Sequence, residues 1–212
     1  MEYFKMTPAE LEKAQKILRT YETNIERYDL DYGYDEELNE SPDVPEDMDD
    51  FSETLIAAAR VELEKPEAQR DWEEIMKNMG LAGALRKITG KIDEAGAMLK
   101  YSLHLCLKYK LAATFRVQQA IRLADVKRRQ GHMEEALTDL EKLLKETSSE
   151  PELAKYQDVV IQHTGKTYFT MGEYTQALKN FEAALKIRVK KGDEELIAST
   201  RTAIAACREH IQ

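Results

Sequence analysis

Residues 172–187 read GEYTQALKNFEAALKI. A glycine opens the stretch, Tyr174 follows two places on, and the small residues Ala177 and Ala184 alternate with Phe181. Steps of three and four between apolar positions put them on one face of a helix. The glycine marks the end of a preceding helix, where a left-handed residue without a side-chain penalty is favoured. The pattern recurs 41 residues earlier as Gly131-x-Met133-x-x-Ala136, and 41 before that as Gly90-x-Ile92-x-x-Ala95. Leu99, Leu140 and Phe181 take matching places after the glycines, and a helical stretch precedes each, from Gly83, Ala124 and Gly165. Three copies in fixed register form an internal repeat of two helices and a turn. Small residues at Gly165 and Ala177 let the two helices approach, and Phe181 fills the wider part of their interface. One pair leaves apolar surface bare, so the pairs stack.

Ile161, Thr164-Gly165, Tyr168, Gly172, Tyr174, Ala177, Phe181 and Ala184 together resemble the signature of the tetratricopeptide repeat (TPR) family in spacing. Ile161 stands where that family usually has tryptophan, and Val189 where it closes with proline. The copies at 76–116 and 117–157 keep chiefly the glycine, the small alanine and the hydrophobic positions. A 41-residue period is similar to the longer-helix subclass of kinesin light chains and bacterial peptide-sensing regulators. The resemblance spans about residues 70–212. It implies an all-α, TPR-type helical-hairpin solenoid with an N-terminal helical extension and a C-terminal capping helix. It also implies that first helices line a concave face where extended peptides or partner helices bind.

Composition agrees with a helical chain. Of 212 residues, 33% are charged and 42% hydrophobic, with 9 Gly and 5 Pro. No run of apolar residues is long enough for a membrane span, and MEYFKMTPAELEK lacks the apolar core of a signal peptide. Cys106 and Cys207 match no metal or redox spacing and read as buried thiols of a cytoplasmic protein. The net charge of −9 hides an asymmetry. Residues 1–80 hold 23 acidic and 9 basic side chains, the remainder 17 and 22.

The sequence divides into an amphipathic helix (1–28), an acidic flexible arm (29–50), a helical lead-in (51–75), three repeats (76–191) and a capping helix (192–212). Thr7, Pro8 and Glu10 form a capping signal, and Leu11, Ala14, Leu18, Tyr21, Ile25 and Tyr28 make one apolar seam. The arm carries eleven acidic residues, no basic one and two prolines, which predicts an unpacked segment. Asp29, Asp31, Asp35 and Glu40 echo a calcium loop, but Gly33, Tyr34 and the SPDVP that follows do not suit one.

Nothing in the chain suggests an enzyme. The four histidines lack ligand spacing, and neither a phosphate-binding glycine loop nor a G-x-S-x-G elbow is present. No cofactor or metal is expected. The helix face opposite the Ile161, Gly165, Tyr168 stripe nominates a binding groove: Gln162, His163, Lys166 and Phe169 in the third copy; Gln118, Arg122, Asp125, Arg128 and Arg129 in the second; Lys77, Leu81 and Lys87 in the first. Six of these are basic and one is acidic, a pattern suited to a protein partner with an acidic peptide segment, or to the chain's own arm 29–50. In that second case Tyr32 or Tyr34 would come near Phe169. The chaperone-type carboxylate clamp is not matched, because Gln162 with Lys166 and Ile121 with Asp125 stand where lysine and asparagine would be. Overall acidity and the lack of aromatic stacking platforms argue against nucleic acid. The function expected is therefore a protein-interaction adaptor. The alternative is a peptide-sensing regulator whose N-terminal helices carry the output.

Overall fold

A computed structural model describes residues 6–21 and 28–211. The chain divides into two compact units, Met1–Gly33 with Glu40–Ala112, and Tyr34–Asn39 with Ala113–Gln212. Among the described residues each unit is built of paired helices. Two three-residue strands, β1 (Tyr32–Tyr34) and β2 (Glu40–Pro42), pair with each other.

The first unit holds α1 (Pro8–Tyr21), α2 (Pro45–Glu64), α3 (Trp72–Ile88) and α4 (Ile92–Lys108). The capping signal closes as a reciprocal pair. The Thr7 amide donates to Glu10 Oε2 at 2.7 Å, and the Glu10 amide donates to Thr7 Oγ1 at 3.3 Å. Ala14 on the seam is buried, whereas Ile25 lies outside the described residues, as do 1–5 and the rest of 22–27. The region 29–50 departs from the unpacked segment the sequence predicts. It holds the two strands, and α2 begins at Pro45, at the end of the SPDVP stretch. A proline at the first helical position loses no hydrogen bond, and Glu46 and Asp47 suit the positive end of the helix dipole. Met48, Ser52, Ile56, Ala57 and Ala59 then give α2 one buried face. Two of the region's acidic side chains have basic partners: Asp49 meets Arg86 at 3.2 Å and Lys91 at 2.9 Å, and Glu40 meets Lys87 at 3.0 Å.

The second unit holds α5 (Ala113–Arg129), α6 (Met133–Ser149), α7 (Gln157–Thr170), α8 (Tyr174–Lys191) and α9 (Glu194–Ile211). α5 packs on α6 and α7, α7 on α8, and α8 on α9. The repeat glycines Gly90, Gly131 and Gly172 adopt φ of 81°, 86° and 78°. Each sits in the same double-bonded helix end. In the third copy the Gly172 amide donates to the Phe169 carbonyl (3.0 Å) and the Glu173 amide to the Tyr168 carbonyl (2.9 Å). Those bonds satisfy carbonyls that the helix end would leave bare. Ala95, Ala136 and Ala177, five places after the glycines, are all fully buried. Where the family closes with proline, α8 runs on through Val189 and stops at Gly192, which is left-handed.

Candidate protein-binding site

Three of the twelve nominated residues lie in the first unit. Lys77 is exposed and ion-paired with Glu73 one turn back, Leu81 is exposed, and Lys87 is buried against Glu40. The other nine lie in the second unit, on α5 and α7. This face is less open than the sequence predicts. Asp125, Arg128, Gln162, Lys166 and Phe169 are all buried. Gln118, Arg122, Arg129 and His163 are half-buried.

The buried charges are engaged within the unit. Arg128, in the last turn of α5, donates from Nε to Asp125 Oδ1 at 2.9 Å and from Nη1 to Thr170 Oγ1 at 3.0 Å. Its Nη2 donates to Asn39 Oδ1 at 2.8 Å. Asp125 also lies 3.4 Å from His163 Nδ1. Such satisfaction is what a buried guanidinium needs, since an unpaired charge there would be costly. Gln162 Oε1 accepts from Thr200 of α9 at 3.3 Å. Arg122 donates to Gln119 at 3.4 Å, and burial lowers its pKa, with Tyr156 pulling the other way. Phe169 meets Tyr174 and His210 edge-on at 5.2 and 5.6 Å.

Residues 34–39, YDEELN, occupy this face. Leu38 is 4% exposed and joins the apolar cluster of Phe169, Ala177, Phe181, Ala203, Ile204 and Cys207. Lys166 holds its ammonium 4.8 Å from the Tyr34 ring centroid. The turn is organised by Asp35, whose carboxylate accepts from the Glu37 amide (3.0 Å) and the Asn39 amide (2.8 Å). Leu38 itself has φ of 61°, a conformation uncommon for a bulky residue. Sequence reasoning nominated neither Leu38 nor Asn39. The available signal was one aliphatic residue in a run of acids, and hydrophobic periodicity needs more than one position to register.

Among the described residues, no group of three His, Cys, Asp or Glu side chains could hold a metal ion. No described helix is long and apolar enough to cross a membrane. Cys106 and Cys207 are buried free thiols. Burial raises the Cys207 pKa to about 11.

A tetratricopeptide-repeat family model matches residues 162–188, from the second turn of α7 through Gly172 to near the end of α8. No curated protein matches the chain. The class is thus an all-α protein of paired helices carrying a TPR-type motif in its second unit.

Proposed function

We propose that the protein is a non-enzymatic interaction module that captures a segment of another protein on the α5–α7 face of its second unit. The observation that carries this reading is the seating of a non-helical segment, 34–39, on that face, with Leu38 in the apolar cluster and Asn39 on Arg128. The repeat match at 162–188 supports it by class. The nominated residues Gln118, Arg122, Arg129 and His163 would border the captured segment, and acidic side chains in it would suit the charges of Arg122 and Arg129. The proposed site leaves out Lys77, Leu81 and Lys87, which lie in the first unit. The 41-residue register and the 17-residue helices of the first two pairs favour the longer-period subclass. Two buried free thiols suit a reducing cytoplasm.

Selection of displayed random peptides on the whole chain tests the reading. The wild-type chain and a Leu38→Gly chain would be used in parallel. The expected result is an enriched peptide family whose affinity drops at least ten-fold on Lys166→Glu. No enrichment on either chain would overturn it.

A further inference from the structure

Segment 34–39 has the contacts of a bound ligand. Its aromatic residue stacks on a buried ammonium, its leucine is inserted in an apolar cluster, and its amide oxygen accepts from a buried guanidinium. The three side chains sit at positions one, five and six of one turn, and the intervening acids Glu36 and Glu37 are exposed. Asp35, also exposed, holds the turn, accepting two amides and the Asn39 side chain at 3.1 Å. The polar receiving groups come from the ends of α5 and α7, where Arg128 and Thr170 are themselves bonded, and the apolar cluster from α7, α8 and α9. Segment 34–39 thus combines a defined turn shape with an apolar and a polar anchor.

We infer that this face recognises a tight turn bearing an aromatic residue, a leucine four places later and an adjacent asparagine, and that residues 34–39 are the chain's own copy of that ligand. The partner is a loop of another protein with this chemistry, which takes the place of the tip. This deepens the interaction-module reading and rests on it. Specificity lies in the Leu and Asn anchors. An arginine whose buried Nη2 loses its acceptor is penalised, so a ligand lacking the amide is rejected more strongly than one lacking a surface charge. The left-handed backbone at Leu38 offers a clean perturbation. Glycine suits that conformation better than leucine, so Leu38→Gly keeps the turn and deletes the anchor.

The test uses a fluorescein-labelled peptide of residues 31–43 titrated into the whole chain. It should bind the Leu38→Gly chain at least ten-fold tighter than wild type, because the resident anchor is gone. Peptides carrying Leu38→Ala or Asn39→Ala should lose at least ten-fold, and a scrambled peptide of equal charge should not bind. A second chain variant, Asn39→Ala, weakens the tip without altering the leucine and serves if Leu38→Gly fails to fold. Equal binding of the scrambled peptide would reduce recognition to charge and overturn the inference. A dimer of the wild-type chain that the peptide fails to dissociate would assign the face to a second copy and also overturn it. No binding by the 31–43 peptide, with display-selected peptides still binding, would overturn this inference and leave the module reading standing. Failure of both peptide classes removes both.

Discussion

Gly165 shows how tightly a single position is specified. A Cβ added there would lie 2.7 Å from the Phe181 ring, closer than van der Waals contact. Gly165→Ala gains up to about 1 kcal/mol in helix propensity, but overpacking of this kind costs roughly 1–3 kcal/mol. The net should be a loss of up to about 2 kcal/mol in urea unfolding, while exposed Lys179→Ala stays within about 0.5 kcal/mol. The second copy carries Ala124 and Leu140 at these places, so Phe181→Leu should recover part of the loss in a double-mutant cycle. Cys207 provides a second residue-level expectation. Its folded pKa is raised from 9.0 to about 11, so its contribution is complete below pH 9 and is lost as pH rises through 11. Neither thiol should react with a disulfide reagent at pH 8 without denaturant, and both should react once unfolded. The Gly165–Phe181 fit was legible because small and large residues alternate at helical spacing. The fate of Leu38 was not, because a lone leucine carries no period.

Among the elements, the turns were the most legible and the acidic region the least. A glycine every 41 residues is a backbone signal, and all three adopt the same left-handed end. Local composition predicts an unpacked region 29–50, but its order depends on partners distant in sequence. Asp49 finds Lys91 and Thr89, and Arg128 finds Asn39. That dependence is testable by limited proteolysis. Glu36 and Glu37 are exposed, yet cleavage needs the chain unhooked from the Asp35 and Leu38 contacts. A glutamate-specific protease should cut there slowly in wild type and at least ten-fold faster in Leu38→Gly, as read by mass spectrometry. Rapid cutting of the wild-type turn would show that the tip is open most of the time.

At the scale of the whole molecule, charge is the organising quantity. Part of the acidity of the N-terminal residues has basic partners within the first unit: Asp49, Glu53 and Glu40 meet Arg86, Lys87 and Lys91. Burial pushes the Asp49 pKa up, but hydrogen bonds from Lys91 and Thr89 and the charges of Lys91 and Arg86 outweigh it, leaving it below the usual 3.8. A depressed carboxylate adds stability that is present above pH 3.8 and lost as pH falls through the folded value. The urea midpoint should therefore decline below about pH 4, and Asp49→Asn should flatten that decline. The lopsided charge was legible at once, whereas its pairing was not, since composition carries no distances. The conformation of Leu38 has one further consequence. A left-handed leucine costs roughly 1–2 kcal/mol, a factor of about 5–30 in an equilibrium. A tethered segment competes as though dissolved at about millimolar concentration. Strain of that size lowers the effective figure to roughly 30–200 μM. An outside loop that binds as well as the relaxed tip then wins the face at that abundance, so the twist of one residue sets the threshold at which the module changes hands.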